Sequence, residues 1–395
     1  MQRSGTVGDY DVIVVGARTA GAATAMLMAR RGLRVLAVDR ARLGSDTLST
    51  HALMRTGVLQ LHRWGLLDQI VDAGTPSVRR TVVHYGDEAV PVDLKPGAGI
   101  DALYAPRRTV LDPILVEAAQ ETGVDFRFRA GVTDLVRDAT GRVTGVVGRD
   151  GSGRRFEAHS RLVVGADGLN SLVARKTGAR RNRSGKGSGA LVYGYWSEVG
   201  IAGYEWFFRP GLSGGVIPTN NGELCVWVGA PTNRFKSDLM DGGSRAVEQA
   251  FSKLDPAVGE KLRRGRRGRL RGWPGTPGFF RQAWGRGWAL VGDAGYFKDP
   301  ISAHGISDAL RDAELLARAA ADAYIDGEPE DEVLSAYQAT RDRLSDRLFA
   351  ATDGVATYQW NLTELFDLLL ETSAAMREEF QAMASLDQPL ATVAA

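Results

Sequence analysis

Asp11-Val-Ile-Val-Val15, Gly16-Ala-Arg-Thr-Ala-Gly21 and, after an alanine-rich stretch, Arg34-Val-Leu-Ala-Val-Asp39 form the opening whose reading decides the fold. The first run is β-branched, the pattern of a strand buried on both faces. Ala22 to Arg31 reads as a helix closed by Gly32, and 34–39 as a second strand ending in an acid. A strand, glycine turn, helix and strand, with an acid about 20 positions past the glycines, is the dinucleotide fingerprint. Gly16 permits the tight turn and Gly21 lets helix and strand approach closely. The helix N-terminus offers unpaired N–H groups and a positive dipole end to a pyrophosphate. Asp39 is placed to accept hydrogen bonds from an adenosine ribose. One position breaks the pattern: Arg18 stands at the central glycine, where the backbone passes nearest the phosphates. Either its guanidinium points away from a slightly wider turn, or it contacts the pyrophosphate, a role that suits arginine.

The 395-residue chain must supply more than this one unit, since its length exceeds one ordinary core. Its hydrophobic content of 44% and charged content of 24% describe a water-soluble globular protein. A net charge of +2 gives no reason to expect nucleic acid or an anionic membrane as partner. The basic run Arg263, Arg264, Arg266, Arg267, Arg269 and Arg271 reads first as a solvated loop or edge strand. A single cysteine, Cys225, excludes an internal disulfide, a CxxC redox pair and a cysteine zinc site. No metal is expected. No apolar run approaches the roughly 18 residues of a membrane helix, and the short polar start shows no signal segment; the expected location is cytoplasmic.

Two later motifs repeat the strand-then-acid pattern. Leu162-Val-Val-Gly165-Ala-Asp167-Gly168 is one; Trp288-Ala-Leu-Val-Gly292-Asp293-Ala294 is the other, followed by Asp299-Pro300-Ile-Ser-Ala-His304-Gly305 and a long helical stretch from Ile306. In this order, the three motifs resemble the glycine box, the DG motif and the GD motif of FAD-dependent flavoprotein monooxygenases of the aromatic hydroxylase type. Flavin-dependent halogenases and geranylgeranyl reductase-like flavoproteins share the same FAD half. The resemblance implies FAD as cofactor, held by Gly16, Arg18, Ala20, Gly21, Asp39, Arg40, Val132, Asp167, Gly168, Gly292, Asp293, Pro300, His304, Gly305 and Ile306. It further implies that Arg55, in a helix after His51, lies on the pyrophosphate, and that Arg108 belongs to a segment contacting the flavin. Asp293 would bond the ribityl chain, and the helix after Gly305 would face the ring, its dipole stabilising the anion formed on reduction. His304, His51 and Pro300 are the candidate catalytic residues, the histidines because their charge changes near neutral pH. The flavin loop departs from its relatives: Ala303-His304-Gly305 stands where Gly-x-Gly is frequent.

Between the second and third motifs the pattern turns to alternating strands, with Asn221-Gly222 as a hairpin turn. The fold class expected is α/β: a Rossmann-like FAD domain (1–76, 105–182 and 276–350), an inserted antiparallel sheet for substrate (77–104 and 183–275) and C-terminal helices (351–395). Trp196, Trp206, Phe208, Pro218 and Trp227 are expected to line a substrate pocket, with Trp196, Trp206 and Phe208 on one face. Only one dinucleotide fingerprint is present, so NADPH or NADH would bind transiently, or a partner would reduce the flavin. The resemblance implies hydroxylation or epoxidation of an aromatic or other hydrophobic molecule by O2, through a flavin C4a-hydroperoxide, in a monomer or homodimer. The alternatives are a geranylgeranyl reductase-like enzyme and a halogenase. A flavin-binding regulator or redox partner with no organic substrate is the rival outside enzymes, and the long aromatic sheet speaks against it.

Overall fold

The structure, a computed structural model, describes residues 10–386 apart from 235, 236, 238 and 240–242. The opening unit forms as its pattern dictates. Strand Tyr10–Val15 pairs in parallel with Val35–Asp39 on one side and with the end of Arg155–Gly165 on the other. Val12, Ile13 and Val14 have no exposed surface, because helices cover one face of the sheet and a β-meander the other. Asp125–Phe128 extends the sheet beyond Val35–Asp39, and Trp288–Leu290 extends it beyond Arg155–Gly165, both in parallel. The three strand-then-turn motifs therefore finish at the same edge of one parallel sheet, where ligands of open α/β sheets bind.

Helices Thr19–Arg30, Arg108–Glu121 and Gly305–Tyr324 pack together on this sheet. Ala22, Ala23 and Met26 are fully buried in this core, and the small alanines permit a close approach. Gly16 has φ +101, in the region glycine favours, and a Cβ there would collide with the Ala166 carbonyl oxygen. A Cβ on Gly21 would collide with the Gly16 carbonyl oxygen.

The second sheet contains Arg80–Tyr85, Glu88–Asp93, Gly189–Ser197, Tyr204–Arg209, Leu212–Pro218, Leu224–Pro231, Arg266–Arg267 and Arg271–Trp273. It is mainly antiparallel, and Asn221 and Gly222 turn its hairpin at φ 63 and 65. A small third sheet joins Arg181–Ser184, Phe279–Arg281 and Tyr296–Phe297. A boundary drawn at 350 falls inside a helix, Glu330–Ala356. The last described helix, Leu362–Ala384, starts at an Asn361–Glu364 capping box and packs on Glu330–Ala356 and Arg55–Arg63. Leu365 is buried there, whereas Leu362, Phe366 and Leu370 remain exposed, Phe366 beside Tyr85 of the second sheet. Among the described residues no helix is long and apolar enough to cross a membrane.

The second sheet corrects the expected pocket face. Strand side chains alternate, so Tyr193 and Tyr195 point to one side of Gly189–Ser197 and Trp196 to the other. Trp196 is fully buried with Phe207, Phe251 and Val226, under helix Ala246–Leu254 on the sheet's far side. Trp206, Phe208 and Trp227 do face the main core.

Candidate active site

A cavity of about 610 Å3 lies where the two large sheets meet, within the range of about 300–1,000 Å3 usual for small-molecule sites. Gly16, Arg18, Thr19, Ala20, Asp39, Arg40, Arg108, Val132, Asp167, Gly168, Asp293, Pro300, Gly305 and Ile306 line it. Leu191, Tyr193, Trp273 and Phe297 also line it.

Two helices present uncapped N-termini to this space. The helix Thr19–Arg30 starts after Arg18 and the helix Gly305–Tyr324 after His304, neither with a side chain bonded to its first N–H groups. Those groups lack intrahelical partners and carry the positive end of the helix dipole. By contrast Asp167, despite lining the cavity, is turned to its own helix. It accepts from the Ser171 hydroxyl at 2.5 Å and from the Leu172 N–H at 2.6 Å, and burial raises its pKa against those bonds. Asp39 accepts the Ala17 N–H at 2.8 Å and the Ala41 N–H at 2.7 Å, which fixes the acid beside the glycine turn.

Asp293 is different from both. It accepts no hydrogen bond from any described residue, although burial, with Asp308 nearby, pushes its pKa up to about 6 against the pull of Lys298 and Arg108. Gly292, at φ +58, makes the turn that brings Asp293 to the wall; Gly292 itself sits between Ala20 and Ala309, where the two helices converge. Half-buried at the cavity wall, the Asp293 carboxylate is suited to take hydroxyl donors from a bound polyol chain.

Arg18 lies along the cavity wall. Its guanidinium donates to the Ser45 carbonyl oxygen at 3.0 Å and the Ser45 hydroxyl at 3.1 Å, and pairs with Asp112 at 3.4 Å. Asp112 also holds Arg108 through two bonds of 3.0 and 3.1 Å and accepts the Thr19 hydroxyl at 2.8 Å. One carboxylate thus ties the broken fingerprint position to the start of its helix and to Arg108. We expect Arg18→Gly to bind flavin about tenfold more weakly, by loss of a charge-assisted bonding group; equal or tighter binding in a fluorescence titration would make Arg18 a tolerated oddity.

Four expected contacts stand off the cavity. Gly21 and Gly292 shape it without lining it. Arg55, the first residue of its helix, lies with its guanidinium 4.1 Å from the centre of the Phe380 ring in the last helix, rather than on the cavity wall. His304, expected as a catalytic and flavin-contacting residue, lies off the cavity wall. It has no exposed surface, and its Nε2 meets Glu379 at 2.5 Å. Around it, Arg311 pairs with Glu379 at 2.7 Å, Asp312 at 2.7 Å and Asp308 at 3.2 Å, and Lys298 pairs with Asp308. His304, Asp308 and Glu379 could together ligate a metal ion by their spacing. Arg311 and Lys298 already neutralise those carboxylates, which favours an ion-pair cluster over a cation site.

Of the expected pocket residues, the four aromatics Trp196, Trp206, Phe208 and Trp227 and the proline Pro218, none lines the cavity. Leu191 and Tyr193, on the strand that also carries Trp196, stand there instead, with Trp273 and Phe297. The alternation Tyr193-Gly-Tyr195 was the available signal for the strand; nothing local singled out Trp273, which follows the arginine run. Nor is that run wholly solvated: Arg271 donates to Asp46 at 2.7 Å beside the cavity. His51 does line the cavity, and its ring contacts Tyr195.

These residues fit FAD: two open helix starts for its pyrophosphate and ring, an acid beside each, and an aromatic end beyond. The comparisons with known proteins agree. The family described as FAD binding domain matches residues 9–352. Menaquinone reductase of Mycobacterium tuberculosis is 29% identical over 341 residues, covering 78% of this chain and 75% of that protein. 2,4-Dichlorophenol 6-monooxygenase of Delftia acidovorans is 24% identical, over 58% of this chain and 44% of its own length. The flavin-dependent brominase Bmp2 shares the fold, with TM-score 0.79 at 19% identity over 96% of this chain and 94% of the other. The chain belongs to the FAD binding domain family and is an FAD-dependent oxidoreductase.

Proposed function

We propose that the protein is an FAD-dependent monooxygenase that takes electrons from NADPH or NADH and uses O2 to hydroxylate or epoxidise a small aromatic molecule. The observation that carries this reading is the continuity of the cavity: one space extends from the glycine turn past Asp293 to Tyr193, Trp273 and Phe297. FAD, when bound, supplies the redox chemistry. The chain's own residues bind, orient and exclude water. N–H groups at Thr19 and Ala20 would hold the pyrophosphate, with Arg18 and Arg108 adding positive charge. Asp39 would take the ribose and Asp293 the ribityl chain. The start of the helix at Gly305 would stabilise negative charge on the reduced ring. The rings of Tyr193, Trp273 and Phe297, with Leu191, form a short apolar wall that suits a flat substrate and keeps water from it.

A second reading, reduction of a carbon–carbon double bond without O2, is favoured by the menaquinone reductase, which matches more of this chain than the dichlorophenol monooxygenase does. The compact ring-lined end suits a ring better than a long chain, which puts oxygenation first. An oxygen electrode separates the two. We expect NAD(P)H oxidation to be stimulated by an aromatic substrate and to consume O2 in step; turnover that continues undiminished without O2 would make the protein a reductase.

A further inference from the structure

His51 is the one expected catalytic histidine on the cavity wall, and its surroundings define what it can offer. The ring is 1% exposed, and its Nε2 is bonded to the Tyr195 hydroxyl. Its Nδ1 is buried without a partner among the described residues. Burial, with Arg107, Arg108 and Arg271 nearby, lowers its pKa well below the usual value, so the ring is neutral and carries one proton. Tyr195 has no other acceptor among the described residues, and burial raises its pKa, so the phenol keeps its proton. A neutral imidazole has one donor and one acceptor nitrogen. With Nε2 accepting from Tyr195, the ring proton sits on Nδ1.

The backbone is arranged for this ring. His51 has φ 67, an uncommon conformation for any residue but glycine, and its N–H donates to the Ser49 hydroxyl at 3.1 Å. Tyr195 is held in turn, with the Arg107 guanidinium 3.6 Å from its ring centre and Arg107 anchored on Glu223 at 2.7 Å. A histidine that only packed a core would not need a rare backbone conformation and an unpaired buried N–H, both of which cost free energy.

We propose that His51 selects the substrate by donating its Nδ1–H to an acceptor oxygen (a carbonyl or a phenolate) carried on the aromatic ring, and that Tyr195 is its positioning residue. This rests on the reading that the cavity's ring-lined end receives an aromatic substrate. Hydrogen bonding to that oxygen would orient the ring against Tyr193 and Trp273, so the position of the oxygen on the substrate would set which carbon meets the flavin.

Three probes test it on the flavin-loaded full chain, by the change in flavin absorbance on titration: naphthalene with no oxygen, 2-acetylnaphthalene with an acceptor only, and 2-naphthol with both donor and acceptor. We expect 2-acetylnaphthalene to bind about tenfold more tightly than naphthalene, the worth of one buried hydrogen bond. His51→Gly suits φ 67 without strain and removes the ring; it should erase the preference, so that the variant binds 2-acetylnaphthalene no more tightly than it binds naphthalene. His51→Asn also tolerates this conformation and keeps an N–H near the Nδ1 position, so it should restore part of the preference. Tyr195→Phe should lower the preference through the ring's lost tautomer control, with FAD content unchanged. Equal binding of naphthalene and 2-acetylnaphthalene by the wild type overturns the assignment of His51, and so does a preference that survives His51→Gly. Failure of all three to bind would sink the aromatic-pocket reading itself.

Discussion

Glu379→Ala lowers the stability of the protein by about 3–5 kcal/mol, the usual cost of removing one partner from a buried ion pair. Glu379 is fully enclosed and bonds His304 at 2.5 Å, Arg311 at 2.7 Å and the Thr56 hydroxyl at 3.2 Å. Burial alone would raise its pKa, but His304 and Arg311 overcome that and hold it well below the usual value. Its truncation leaves the Arg311 guanidinium with a lost partner in a space water cannot reach. The damage extends to function, because His304 and Arg311 flank the start of the helix at Gly305, which lines the cavity. Thermal unfolding of the purified variant should show the loss, together with a lower FAD content; Glu379→Gln, which keeps the volume, should fall between. An Ala variant within about 1 kcal/mol of wild type would mean the cluster is dispensable. The pH dependence follows from the sign of the shift. A carboxyl held below its unfolded value contributes stability that is fully present above that value, near 4.5, and is lost as the pH falls through the folded one.

Asp293→Ala weakens FAD by about 1.5–3 kcal/mol, roughly tenfold to a hundredfold, if its carboxylate takes the ribityl hydroxyls. Among the described residues no hydrogen bond is made to this group, so its removal withdraws a cofactor contact and little else. The variant's stability without flavin should therefore equal or exceed that of wild type, since a carboxyl with a raised pKa is a burden to the folded state at neutral pH. A flavin titration alongside flavin-free melting separates the two effects. Unchanged FAD affinity would reduce Gly292-Asp293 to a structural turn, whereas lost affinity with lost stability would mean the acid supports the fold.

The fold was legible because its deciding signals are local. The run Asp11 to Val15, the glycines at 16 and 21 and the acid at 39 each impose their conformation through their own backbone chemistry, and they form a parallel strand pair with a helix between. Asn221-Gly222 made its hairpin for the same reason: both positions need a left-handed backbone, and these residues accept it. Gly292 before Asp293 is read equally well, since the turn and the acid lie side by side in the chain.

What the chain could not reveal locally is which face of a strand looks at the cavity, and which distant group takes up a charge. Trp196 reads as a pocket residue until the pairing of Gly189–Ser197 with Leu224–Pro231 turns it to the far side and leaves Tyr193 at the wall. A one-residue change of parity decides that, and it is set by packing against helix Ala246–Leu254. His304 looks like an acid–base group in a flavin loop until Glu379, 75 residues on, claims it. Arg55 looks like a phosphate ligand until Phe380 covers it. The sequence by itself determined the nucleotide fold, its turns and the acids that serve them, since nearest neighbours enforce those. Only the tertiary structure decided which histidine reaches the cavity and which aromatic rings bound it, because these depend on partners that the chain order keeps far apart.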